Sequence, residues 1–304
     1  MKHISIIIVN FNQKKLTDNC LYSLSKVKKE NFDFSVFVVD NGSPENYRLP
    51  AKLSKKQFTL LRSDANLGFT GGNNLGIHTA IERFDSEYVL LLNNDTEVAT
   101  DFLKILFQFT ESHPRMGVVS PKIFFSPGKE FHTNSYKIDE RGSVLWYAGG
   151  SIDWDHLVAF HRGVDEIDRS QFARQELSDF ATGCCVLIRR EVLEKAGFLD
   201  RRYFLYLEDV DLSMRARQFG YQVGYCDAAK IWHLNAASSG GSGSQFHLYY
   251  QLRNRLFFFF YYGTWQVKLR VVKILFQRLI QGNRLEHKAI WHFLTLQDGK
   301  QPVH

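Results

Sequence analysis

Proline is scarce in this chain, at 6 of 304 residues, and cysteine scarcer, at 4. With 44% hydrophobic and 23% charged residues beside so little proline, the composition excludes a disordered chain and supports a substantial core. The length excludes a small disulfide scaffold and suggests one large α/β unit with an appendage, or two modest domains. Cys20, Cys184, Cys185 and Cys226 form no C-x-x-C pair, so neither a zinc ribbon nor a redox motif is encoded. They are expected to be reduced cytosolic thiols. Neither G-x-G-x-x-G nor G-x-x-x-x-G-K-[ST] occurs, which argues against nicotinamide and P-loop chemistry. The apolar run at residues 4–9 is shorter than a signal-peptide core, and no small-residue cleavage site follows it.

The net charge is +6, and its distribution is uneven. Residues 253–304 hold 9 basic and 2 acidic side chains, which leaves 29 basic against 30 acidic in the rest. This asymmetry predicts an anionic surface docked by the C-terminus, with membrane lipid and nucleic acid as the two candidates.

Short β-branched runs alternate with helical patterns in the first half, the signature of a wound, mostly parallel sheet. Strands are predicted at residues 4–9, 35–39, 58–61 and 88–92, and the first, second and fourth run directly into Asn or Asp. Ligands of such sheets sit beyond the carboxyl ends of the strands, so Asn10, Asp40 and the Asn93-Asn94-Asp95 turn are expected to line one crevice. Residues 126–175 read as an irregular insertion with short strands. A strand over 180–189 leads into a helix over 191–196, and a further helix is expected to open within the run from Phe204 to Leu212. The glycine–serine stretch at 238–244 is a flexible seam by composition, and beyond it the pattern is helical. This gives a catalytic domain over 1–240 and a helical extension over 241–304.

A crevice carrying Asp40, Asp95 and the pair Glu208-Asp209 has the parts for a diphosphate ligand, a divalent cation and a base. Each residue also has a plainer role open to it. Asp40 suits an Asx-turn, Asn10 a helix cap, Asn93-Asn94-Asp95 a strand-to-helix turn, and His233 a structural position. Glu208, Asp209 and Asp211 would favour a helix N-terminus on charge alone.

The stretches Ile8-Val9-Asn10-Phe11-Asn12, Val38-Val39-Asp40-Asn41-Gly42-Ser43, Asn66-Leu67-Gly68-Phe69-Thr70-Gly71-Gly72-Asn73-Asn74, Leu92-Asn93-Asn94-Asp95, Tyr206-Leu207-Glu208-Asp209-Val210-Asp211-Leu212, Trp232-His233 and Tyr249-Tyr250-Gln251-Leu252-Arg253-Asn254-Arg255 occur in that order. Together they resemble the family 2 inverting glycosyltransferases of the GT-A fold, and particularly their rhamnosyltransferase-like branch. The resemblance implies Asp209 as catalytic base, with Glu208 orienting the acceptor or tuning its neighbour. It implies nucleotide-sugar contacts from Asn10, Asp40, Asn41, Asn66, Gly68, Gly72, Asn73, Asn93 and Asn94, with Asp40 accepting a pyrimidine ring N–H and Arg215 a candidate for the diphosphate. Asn93-Asn94-Asp95 stands where the family has a DxD motif. With one carboxylate lost, Asp95 and His233 are the implied ligands of Mn²⁺ or Mg²⁺.

The implied donor is dTDP- or UDP-linked, plausibly dTDP-L-rhamnose, and the implied acceptor a lipid-linked saccharide or growing surface polysaccharide. Such an enzyme would be cytoplasmic and peripheral on the inner face of the cell membrane, with a homodimer left open. A UDP-hexose or HexNAc transferase and a non-catalytic carbohydrate- or lipid-binding homologue remain alternatives; nucleic-acid binding does not account for the crevice. In the tail, the run at 256–262 is followed by Trp265, Leu269, Val272, Phe276 and Leu279 at helical spacing, with Gln266, Arg270, Lys273 and Gln277 opposite. The stripe can pack on the catalytic domain or lie in a membrane interface. The cationic excess favours the membrane, and no 18-residue uncharged span exists there to cross it.

Overall fold

The computed structural model describes residues 1–235 and 243–302, so residues 238–242 of the glycine–serine stretch lie outside the described residues. In chain order the elements are β1 (Lys2–Asn10), α1 (Lys14–Leu24), β2 (Phe32–Asn41), β3 (Phe58–Ser63), α2 (Gly68–Phe84), β4 (Tyr88–Leu92), β5 (Thr96–Val98) and α3 (Phe102–Ser112). There follow β6 (Met116–Phe125), β7 (Leu145–Tyr147), β8 (Gly150–Asp153), β9 (Val158–His161), β10 (Cys185–Arg189), α4 (Arg190–Ala196), α5 (Glu208–Gln218) and β11 (Gln222–His233). The chain closes with α6 (Gln245–Tyr262), α7 (Trp265–Gln281) and α8 (Arg284–Leu294).

A nine-stranded sheet runs in the order β3-β2-β1-β4-β10-β6-β11-β5, with β7 on β6. β3, β2, β1 and β4 are mutually parallel, as are β6 and β11, while β10 runs antiparallel between β4 and β6. Unbroken apolar strands such as Tyr88–Leu92 form because both faces are covered. Ile4, Ile6 and Ile8 pack toward α1 and α3, whereas Ile7 packs with Ile77 of α2, Val192 of α4 and Leu212 of α5. From β1 the chain moves outward to β2 and β3, then returns to the other side of β1 as β4. The crevice at the carboxyl ends of β1 and β4 is therefore a topological switch point.

The helix expected to open within the run from Phe204 to Leu212 begins at Glu208, after a left-handed loop. Phe204, Tyr206 and Leu207 have φ of 63°, 72° and 68°, a left-handed conformation that costs each side-chain-bearing residue about 1–2 kcal/mol. Two buried side chains of α6 hold this loop. Asn254 Nδ2 donates to the carbonyls of Tyr203 (2.9 Å), Leu205 (2.7 Å) and Tyr206 (2.9 Å), and Arg253 Nη2 donates to those of Arg202 (2.9 Å) and Tyr203 (3.0 Å). Opposite, Gly68 lies so close that a Cβ there would stand 2.5 Å from the Phe204 carbonyl oxygen.

The C-terminal helices share the main core. Leu256, Phe258 and Phe259 of α6, Val267, Val271 and Leu275 of α7, and Ile290 and Phe293 of α8 join the cluster that packs β1 and α3. The described helices from Gln245 onward thus belong to the same core as the sheet. On α7 the packed face is Val267, Val271 and Leu275, while the stripe Trp265, Leu269, Val272, Phe276 and Leu279 faces outward. Among the described residues, no helix is long and apolar enough to cross a membrane.

Candidate active site

One cavity of about 1040 Å³ opens over the strand ends. Asn41, Asn66, Gly68, Asn93, Asn94, Asp95, Glu208, Asp209 and His233 all line it. Asp95 closes the turn from β4 into β5 and His233 ends β11, so the paths of the strands bring together residues 138 positions apart. His233 Nε2 lies 3.1 Å from Asp95 Oδ1, and both side chains are buried. The His233 ring rests edge-on against Trp146, with centroids 4.5 Å apart, and its Nδ1 is buried with no hydrogen-bond partner.

Asp209 Oδ2 accepts from the Gly183 backbone N–H at 2.8 Å and Oδ1 from that of Val210 at 2.8 Å. Glu208, beside it, is 4% exposed, and its Oε2 has no partner. Burial, and then the Asp209 charge, push the Glu208 carboxyl well above the usual range. Burial also raises Asp209, but its backbone N–H donors oppose the rise. The rise is the stronger on Glu208, while the backbone donors favour the charged form of Asp209. Asp211 serves the framework: it pairs with Arg215 at 2.8 Å and accepts from Tyr262 Oη at 2.8 Å.

Five residues expected at the ligand do not line the cavity. Arg215 is corrected most plainly. Its guanidinium is consumed by Asp211 and by the carbonyls of Ala196, Gly197 and Phe198, because position i+4 from Asp211 turns it toward the end of α4. Asn10 and Asp40 lie one layer beneath the wall. Asn10 Nδ2 donates to Asp40 Oδ1 at 3.2 Å, and Asp40 Oδ2 accepts from the Tyr47 N–H at 3.0 Å and from Arg62. Asn73 Nδ2 donates to the Phe69 carbonyl one helical turn back, at 2.9 Å. Gly72 backs onto Val9, where a Cβ would meet Cγ1 at 2.9 Å, so it serves the close packing of α2 on β1.

The structure adds a wall that the motifs did not assign. His161 on β9 lines the cavity beside Trp146, at a centroid distance of 4.4 Å, and burial lowers its pKa to about 4, so it is neutral. His247, Gln251 and Arg255 of α6 also line it. They recur at i, i+4 and i+8 along α6, a polar stripe that was present in the sequence.

The sheet order and the switch-point crevice are those of the GT-A fold, and sequence comparison gives the family. The model of glycosyl transferase family 2 matches residues 5–197, and the chain belongs to that family. The Haloferax volcanii low-salt glycan biosynthesis hexosyltransferase Agl10 is 26% identical over 252 residues, 83% of this chain and 74% of the relative. The Mycobacterium tuberculosis N-acetylglucosaminyl-diphospho-decaprenol L-rhamnosyltransferase is 26% identical over 246 residues, 78% of each chain. Among solved structures, GalNAc-T7 with UDP, GalNAc and Mn²⁺ superposes with a TM-score of 0.57 at 16% identity, over 83% of this chain and 48% of that one. Staphylococcus aureus TarS 1-349 gives 0.51 at 16% identity, over 86% of this chain and 66% of that one. This chain spans about half of the GalNAc-T7 structure and shares the fold.

Proposed function

We propose that this chain is an inverting, divalent-metal-dependent glycosyltransferase that moves a sugar, plausibly L-rhamnose, from a pyrimidine nucleotide donor to a lipid-linked saccharide or growing surface polysaccharide. The observation that carries the reading is the convergence of Asp209, Glu208, Asp95 and His233 on one cavity beyond the strand ends. The ionised Asp209 carboxylate takes the proton of the acceptor hydroxyl. The oxygen so freed forms the new bond to the anomeric carbon while the bond from that carbon to the phosphate oxygen breaks, and the nucleoside diphosphate leaves with the electron pair. Glu208, holding its own proton, keeps a second negative charge away from the base.

Asp95 and His233 fit a hard divalent ion. A carboxylate oxygen and an imidazole nitrogen stand 3.1 Å apart at the cavity wall and are donors of the kind such an ion would take. When bound, such an ion neutralises charge on the leaving diphosphate. Among the described residues there is no group of three or more His, Cys, Asp or Glu that could hold an ion, so Asp95 and His233 would be its protein donors. The donor class is checked by thermal shift. With Mn²⁺ present, dTDP or UDP is expected to raise the melting temperature more than GDP or ADP does. A preference for GDP overturns the pyrimidine donor class, and no response to any nucleotide overturns the transferase reading.

The outward stripe of α7 is proposed to rest on an anionic bilayer. Lys273, expected opposite the stripe, stands at its edge in α7, as Lys268 does on the other edge, and each adds about 1 kcal/mol of attraction near an anionic surface. Because Leu269 and Phe276 are exposed, Leu269→Glu/Phe276→Glu leaves the core intact. At about 1.5–3 kcal/mol per apolar side chain, it should cut binding to phosphatidylglycerol vesicles by roughly a hundredfold or more. High salt should weaken binding of the parent chain without abolishing it. If the parent ignores such vesicles at low salt, or the substitutions only split a dimer, the stripe is a protein interface.

A further inference from the structure

The part of the cavity between the β8–β9 hairpin and the C-terminal helices has a chemistry of its own. Arg255 of α6 and Arg278 of α7 both line it. Arg255 Nη2 donates to the His156 carbonyl at 2.7 Å, which ties α6 to the hairpin turn, and Arg278 Nη1 pairs with Glu286 of α8 at 2.6 Å. One carboxylate thus stands against two guanidinium groups. They are close enough that Arg278, after burial, lowers the Arg255 pKa, so each cation carries the other's repulsion. Leu252, Phe259 and Leu285 provide apolar lining beside them.

Helix geometry adds a second fact. Arg278 lies on the side of α7 that carries Val267, Val271 and Leu275, while Phe276 and Leu279 point outward from the same turn. The wall at these arginines is thus apolar as well as cationic, with Leu252, Phe259 and Leu285 among its lining residues. A simple sugar needs neither, whereas an amphiphile with an anionic head needs both.

We propose that Arg255 and Arg278 form the binding site for the phosphate or diphosphate group of an acceptor that carries a long hydrocarbon chain. The proposal rests on reading the cavity as a glycosyl-transfer site, and it assigns the acceptor's anion to this wall and the donor's diphosphate to Asp95. Two guanidinium groups suit it because each offers paired N–H donors to phosphate oxygens.

The test uses the full chain with farnesyl diphosphate, farnesol and inorganic diphosphate as probes, followed by calorimetry. Farnesyl diphosphate is expected to bind at least about tenfold tighter than either of the others, the equivalent of about 1.4 kcal/mol. Arg255→Gln and Arg278→Gln should each weaken it by about tenfold, Arg255→Lys should restore part of the loss, and UDP affinity with Mn²⁺ should change by less than about twofold. Equal losses of UDP and farnesyl diphosphate would assign the arginines to the donor and overturn the proposal. Farnesol binding as tightly as its diphosphate would remove the anion site, and inorganic diphosphate binding as tightly would remove the lipid. Arg278 is half exposed, so Arg278→Gln decides the matter should Arg255→Gln fail to fold. A chain that binds no nucleotide fails the transferase reading; one that binds nucleotide but not farnesyl diphosphate fails this proposal alone.

Discussion

Asp209→Asn is expected to lower kcat by roughly 10²–10⁴-fold, the contribution of a positioned general base, with little change in nucleotide affinity. The substitution keeps the volume but not the hydrogen bonding. Each Asp209 oxygen accepts one backbone N–H, from Gly183 and from Val210, and an amide can accept only one of them. That mismatch costs about 1–3 kcal/mol, offset in part because Glu208 no longer faces a neighbouring charge. The melting temperature is therefore measured with the rate, and a variant that folds and still turns over near the parent rate removes Asp209 from the mechanism.

The pH dependence gives an independent reading of the same pair. Both carboxyls are raised by burial, so the acid limb of kcat/KM should lie above the ordinary carboxylate range. For stability, the folded chain retains a proton on Glu208 that the unfolded chain releases near pH 4.3. The stabilisation is complete below that value and is lost as pH rises through the raised folded pKa. Glu208→Gln mimics the protonated acid. It should raise the melting temperature at neutral pH and flatten its fall with rising pH; an unchanged profile would show that Glu208 is not held protonated.

Much of this site was legible because strand ends are legible. Apolar runs ending in Asn or Asp located the crevice, and the resemblance paired Asp95 with His233, which the fold brings to 3.1 Å. Cooperation between distant segments was harder to read. The start of α5 at Glu208 depends on Arg253 and Asn254, whose motif was visible but whose task, holding carbonyls of a left-handed loop, arises only when α6 packs on it. Arg215 carried the right charge for a diphosphate, yet the angular position that pairs it with Asp211 also turns it from the cavity. On α7 the sequence showed one apolar stripe where the helix has two apolar faces. The face made by Val267, Val271 and Leu275 is the one that packs. Periodicity identifies an apolar face without saying what meets it. His161 gave no local signal, since its place beside Trp146 and His233 comes from the fold of β9.

Asp95→Ala should nearly abolish nucleotide-dependent Mn²⁺ binding, and His233→Ala should weaken it by more than the roughly 10–100-fold that loss of an outer partner costs. Two protein donors 3.1 Å apart make a weak site alone, since hard divalent ions take six or more oxygen or nitrogen ligands. Mn²⁺ should therefore bind the protein poorly by itself and tightly with dTDP or UDP, and by reciprocity the ion should raise nucleotide affinity by the same factor. Mn²⁺ electron paramagnetic resonance and calorimetry read the two halves separately. The double variant should lose less than the sum of the single losses, because both residues act through one ion. A merely structural His233–Asp95 contact predicts a different pattern: each substitution would lower the melting temperature, and nucleotide affinity would not respond to EDTA. Indifference to EDTA in the parent chain would overturn the metal assignment, while metal-dependent binding that survives Asp95→Ala would move the ion to other donors of the cavity.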